Sequence, residues 1–176
     1  MILYYLRTYD DTHFFSTGGL WYYTDELRPG QIASTYRSVI TNASKELLVF
    51  SDFMIPKETP VFPSRSRVYQ YLKDYTGHFG LEKHIKYNCD VRKVDKSHDY
   101  ASTGRWDVKY QDGEHGGVKT ETFDGVIVCS GGFGDTYIPE IPGYEDFEGL
   151  TMHSNVYREP DSFRGKRVIV IGRYEC

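Results

Sequence analysis

The spacing of apolar positions changes along the chain, and each change predicts a different element. Val68, Tyr71, Leu72, Tyr75 and Phe79 recur at intervals of three and four, which predicts a helix with one apolar face. Ser64 stands where an N-cap belongs, and Gly80 stands where the helix should end. The period then falls towards two. Residues 85–94, 105–110 and 118–123 read as strands, separated by polar turns at 97–104 and 111–117, so an antiparallel meander is expected. Two later stretches lose the alternation. Residues 126–130 and 167–171 are almost continuously apolar and run into Gly131-Gly132 and Gly172, a pattern that suits strands covered on both faces of a parallel sheet. Phe163-Arg164-Gly165-Lys166 reads as a tight turn leading into the second of them. A shorter run at 47–50 predicts one more buried strand, and the rest of the first sixty residues reads as loops punctuated by Gly and Pro. Helix, meander and return to a parallel layer together give an α/β pattern with a β-meander crossover.

Composition narrows the classes. The chain has 176 residues, enough for an ordinary domain with a real core. Its formal charge of -4, without a basic stripe, argues against nucleic acid or an anionic membrane as partner. The three cysteines, Cys89, Cys129 and Cys176, form no CxxC pair, so neither a zinc site nor a redox dithiol is expected. No apolar run is long enough to span a bilayer, and residues 1–11 do not read as a signal peptide. The 16 tyrosines suit half-buried surfaces or a ligand cleft, because each joins a large ring to a polar tip.

Several short motifs admit both a structural and a chemical reading. GGLW at 18–21 is a turn with an anchoring Trp21, or a loop lying along a flat aromatic ligand. Asn42 is a solvated loop residue, or an amide that donates and accepts at the polar edge of a flavin. The glycines after 126–130 are a tight exit from a strand, or a place where backbone approaches a cofactor at the carboxyl end of a strand. Phe147, Gly149, His153 and Tyr157 form the sparse pattern FxGxxxHxxxY, and His153 alone is more often structural than catalytic.

In order along the chain come GGLW, YRSVITN, SDF, the amphipathic segment and meander, FDGVIVCSGGF, IPEIPG, FEGLTMHSNVY and FRGKRVIVIG. This series, from about residue 18 to 172, resembles the flavin-containing monooxygenases, the dimethylaniline monooxygenase type. The resemblance implies a partial two-dinucleotide-binding, Rossmann-like FAD/NAD(P) fold with an antiparallel β-meander insertion. It implies FAD and NADP(H) as cofactors, molecular oxygen as co-substrate, and a small amine or sulfide as substrate. A flavin C4a-hydroperoxide would oxygenate the soft N or S nucleophile. Gly19, Leu20 and Trp21 match the segment along FAD. Thr41, Asn42 and Ala43 match the loop beside the isoalloxazine and the nicotinamide nucleotide, with Asn42 as the active-site asparagine. On this reading Ser130 and Gly131 would be the backbone approach to the cofactor. Phe147, Gly149, His153 and Tyr157 match the fingerprint that links the two dinucleotide domains.

The resemblance also has gaps. No GxGxxG occurs in residues 1–17, the position of the ribose-binding acid falls on Thr12, and the second glycine loop breaks off after Gly172. The expected division is therefore a partial FAD-binding domain over 1–158 and the first strand of an NADP-binding domain over 159–176. A non-catalytic homologue that pairs with an intact homologous subunit is the alternative. The pyridine-nucleotide disulfide oxidoreductases share the architecture, but they need the CxxC that is missing here. Location is expected to be cytoplasmic or endoplasmic-reticulum-associated.

Overall fold

The computed structural model describes residues 3–4, 17–25, 35–113, 116–129 and 136–172. The chain divides into two compact units. One comprises Met1–Thr17, Arg28–Gln31 and Thr76–Gly134, and the other Gly18–Leu27, Ile32–Tyr75 and Asp135–Cys176.

The first unit is organised by the expected meander. Strands β3 (Cys89–Lys96), β4 (Trp106–Asp112) and β5 (Val118–Phe123) pair antiparallel in that order. Alternation on β4 selects the core: Val108 and Tyr110 are buried, whereas Lys109 between them is exposed. Val91 lies opposite Tyr110, and Val94 opposite Val108. The register slips between Val91 and Lys93, so Arg92 is an extra residue in a β-bulge. Tyr110 is 1% exposed, and its hydroxyl donates to Glu121 Oε1. Lys86 Nζ reaches the same carboxylate at 2.6 Å. The ring is buried and its polar tip is satisfied, as a buried tyrosine requires.

Two details depart from the sequence expectation. The strand read at 85–94 is split, because Asn88 takes a positive φ of 58° between β2 (Ile85–Lys86) and β3. Residues 1–11 carried no expected element, yet β1 (Leu3–Tyr4) pairs in parallel with β2, Leu3 opposite Ile85. Within the turn at 97–104 the chain makes one helical turn, α2 (Tyr100–Thr103). It is closed by Gly104 in the left-handed region at φ 73°.

The expected helix is α1 (Arg65–His78). Val68 and Tyr71 are buried, and Leu72 and Tyr75 half-buried. Ser64 precedes it and accepts from the N–H groups of Arg67 and Val68. Gly80 follows in the left-handed region at φ 59°. Phe79, counted on the apolar face, lies beyond the helix end and is exposed.

The strand expected at 47–50 does not form. Lys45–Leu47 makes a 3₁₀ turn and Leu47 is 80% exposed. Phe50 instead pairs with Phe53 across a tight turn, and both rings pack on Tyr71 and Tyr75 of α1 with centroids 4.5–6.1 Å apart. The Tyr71 hydroxyl donates to Phe53 O and accepts from Phe50 N, which ties the turn to the helix. The two long apolar runs also form no strand over their described residues. Ile127 and Val128 are 84% and 71% exposed, and Ile169 and Val170 are 85% and 89%. A strand of the parallel kind is completed by neighbours distant in sequence, and among the described residues neither run has one. No helix among the described residues is long and apolar enough to cross a membrane.

Candidate functional site

GGLW folds as a 3₁₀ turn, Gly19–Trp21, held by Trp21 N–H on Gly18 O at 2.9 Å and Tyr22 N–H on Gly19 O at 3.1 Å. Gly18 is required in its place. It takes φ 138°, and a Cβ there would lie 2.5 Å from the ring of Tyr69 on α1. The Tyr22 ring also meets Tyr69, centroids 5.7 Å apart. The turn thus rests on the first half of α1, with Leu20 exposed and Trp21 half-buried.

The second segment reaches the same helix by a different route. Ile40 bridges to Ser64, Arg65 N–H donates to Val39 O, and Thr41 N–H donates to Pro63 O at 3.0 Å. Thr41 is buried, and its hydroxyl donates to Ala43 O at 2.9 Å, so it shapes the loop from inside. Asn42 is exposed between these two residues. Lys45 extends the anchorage, its ammonium donating to the carbonyls of Lys57 and Thr59.

Gly19, Leu20, Trp21, Thr41, Asn42 and Ala43 are therefore all carried by segments fixed to the first turns of α1 or to the residues that lead into it. Ser130 and Gly131 lie outside the described residues. The set combines the exposed Leu20 and the half-buried ring of Trp21 with one exposed amide, Asn42, that can donate and accept. That donor set fits a flat heteroaromatic ring with a polar edge. It offers nothing of the pyrophosphate-binding kind.

The fingerprint residues divide by role. Phe147 folds over Gly149, where a Cβ would lie 2.4 Å from the ring, so the F-x-G spacing leaves room for that fold. His153 caps the short 3₁₀ turn Ser154–Val156, its Nδ1 accepting from Asn155 N–H at 3.2 Å. That is the structural role the sequence favoured for a lone histidine. Tyr157 packs edge-on against Tyr36, centroids 5.2 Å apart, and also meets Phe163.

Beside Tyr157 lies a group the sequence did not indicate. Arg37 N–H donates to Arg158 O at 2.9 Å, and Arg158 Nη1 donates to Thr35 O at 3.0 Å. Arg37 spans two carboxylates, Asp25 at 2.6 Å and Glu159 at 2.7 Å. The Glu159 contact is a charge contact off the hydrogen-bond direction. The Arg37 hydrogen bond, assisted by the Tyr23 hydroxyl, holds the Asp25 carboxyl below its ordinary range. The same bond, seen from Arg37, holds the guanidinium more firmly protonated than usual. Tyr23 carries Arg65 over its ring at 3.9 Å and Arg158 at 5.3 Å. Burial pushes the Arg158 guanidinium down. Arg158 and Thr35 are 123 positions apart, so no local pattern could have announced the pair.

Similarity to known proteins points to one family. The family profile described as flavin-binding monooxygenase-like matches residues 11–175. Flavin-containing monooxygenase 5 of Rattus norvegicus is 43% identical over 157 residues, covering 88% of this chain and 29% of the relative. Dimethylaniline monooxygenase (N-oxide-forming) 4 of Mus musculus is 39% identical over the same share of this chain and 28% of its own. The chain thus spans less than a third of the curated relatives it matches. Among solved structures, S-allyl-L-cysteine S-oxygenase from Allium sativum superposes with a TM-score of 0.72 at 32% identity, covering 84% of this chain and 36% of that one. Tmm from Pelagibacter sp. strain HTCC7211 gives 0.74 at 31% identity, covering 86% and 35%.

Proposed function

Because the chain belongs to the flavin-binding monooxygenase-like family, we propose that the segments at 18–21 and 41–43 form the wall beside a flavin ring in an FAD- and NADPH-dependent monooxygenase. The reaction is oxygenation of soft N or S nucleophiles, small amines or sulfides, by molecular oxygen. The observation that carries this reading is the common anchorage of both segments at the start of α1, through Tyr69 for one and through Pro63, Ser64 and Arg65 for the other. The partial two-dinucleotide, Rossmann-like fold belongs with it, and the superposing S-allyl-L-cysteine S-oxygenase supports that reading.

Each residue then has a physical task. Leu20 and Trp21 present apolar surface to the flat face of the ring and keep water from it. Asn42 offers an amide that donates to and accepts from the polar edge of the ring or the nicotinamide. Thr41 spends its hydroxyl on Ala43 O and so sets the direction in which Asn42 points. Bound FAD would supply hydride acceptance from NADPH and the activation of oxygen; the protein supplies position and exclusion of water. Residues 1–158 are read as part of the FAD-binding domain, and 159–176 as the opening of the NADP-binding domain.

No GxGxxG loop is present in the sequence, and such a loop would contribute several charge-assisted hydrogen bonds to phosphate. Each 1.4 kcal/mol lost is about tenfold in affinity. The 176-residue chain is therefore expected to bind FAD orders of magnitude more weakly than the rat relative. A fluorescence titration of both proteins measures this. Purification of the chain with stoichiometric yellow flavin would overturn the expectation. The site itself is tested by amide exchange at saturating FAD. Protection should appear at Leu20, Trp21 and Asn42, and its absence there would remove the reading.

A further inference from the structure

We propose that Arg158, acting with Arg37, is a positioning residue that clamps the 35–41 segment and so sets the place of Thr41 and Asn42. Its importance for catalysis rests on the flavin reading above, whereas the clamp rests on contacts alone.

The segment before Asn42 is held along its length by two neighbours. On one side stand residues 63–65, through Pro63 O, the Ser64 bridge and Arg65, whose Nε also donates to Arg37 O at 3.2 Å. On the other side stand residues 157–159. Tyr157 covers Tyr36, the Arg158 carbonyl takes the Arg37 N–H, the Arg158 guanidinium takes Thr35 O, and Glu159 faces Arg37. The Arg158 guanidinium does two jobs with one planar group, hydrogen-bonding a carbonyl and lying over the Tyr23 ring. Its Nε and Nη2 are buried without an acceptor, so the Nη1 bond to Thr35 O and the packing against Tyr23 together hold it in place. Tyr23 stands two residues beyond Trp21, so the same guanidinium touches the segments that carry both halves of the candidate site. The FxGxxxHxxxY pattern ends at Tyr157. The clamp therefore gives that end of the pattern a mechanical task towards the Asn42 loop.

The test is native-state amide exchange on the 176-residue chain and on Arg158→Met, which keeps the stem and removes the guanidinium. Exchange at Arg37, Val39 and Thr41 should accelerate about tenfold, the effect of losing one charge-assisted hydrogen bond. Amides of β3–β5 should be unchanged, which shows that the chain is folded. FAD affinity should fall by a similar factor, and Arg158→Lys, which keeps a donor for Thr35 O, should recover part of both changes. Unchanged exchange at 35–41 in Arg158→Met overturns the clamp. If Arg158→Met fails to fold, Arg37→Met is measured at the same amides and is held to the same criterion. Lack of FAD-induced protection in the unmodified chain removes the flavin reading, while accelerated exchange in the variant still establishes the clamp.

Discussion

The meander and the two apolar runs show that hydrophobicity and sheet formation are separate requirements. Strands β3 and β4 carry Asp, Lys or Arg at nearly every position facing away from Val108 and Tyr110, β5 carries Val and Thr there, and the three strands pair with one break, at Arg92. Residues 126–129 and 168–171 carry almost nothing but Val, Ile and Cys, and they pair with nothing among the described residues. Antiparallel neighbours joined by short turns satisfy each other's N–H and C=O groups within a few dozen residues. A strand meant for a parallel sheet waits for partners that lie far along a chain, and its own composition cannot supply them. Exposed, flat and apolar, such a run is a pairing hazard.

The comparison can be broken at its strongest point first. Tyr110→Ala empties the centre of the meander and leaves Glu121 with one partner fewer. It should cost about 3–5 kcal/mol in urea unfolding followed by Trp106 fluorescence in a Trp21→Phe background. A cost under about 1 kcal/mol would mean the sheet owes little to its core.

The cysteines offer a finer contrast, one in each kind of segment. Cys89 on β3 is 2% exposed, and burial pushes its thiol up, so the reactive thiolate is scarce. Cys129 ends the 126–129 run and is exposed. In a Cys176→Ser background a disulfide reagent should modify Cys129 at least ~100-fold faster than Cys89, which waits for local opening. Equal rates would place the meander among the frayed parts of the chain.

The smallest expected effect is the most diagnostic of the runs. Val170→Asp puts a charge where Val170 is 89% exposed. Stability should stay within about 0.5 kcal/mol, while self-association by light scattering should decrease. A destabilisation of about 2 kcal/mol or more would show the run to be packed.

Legibility followed the range of the interactions. The helix at 65–78, its stop at Gly80 and the meander were readable because each is specified by periodicity and turn residues within a short window. The 47–50 run misled, because four apolar residues make a strand only beside another strand, and here the better contact was Phe50 and Phe53 on Tyr71 and Tyr75. GGLW and the Asn42 loop were visible as motifs through resemblance. Their common footing on α1 was not visible, nor was the Arg158 link to Thr35. By itself, then, the order of residues determined the helix at 65–78, the meander and the family, since helix period, strand alternation and glycine punctuation act between neighbours. Only the tertiary structure decided which apolar runs found partners and which arginine holds the Asn42 loop. Those outcomes depend on groups up to 123 positions apart meeting in space, and no short window of sequence contains both members of such a pair.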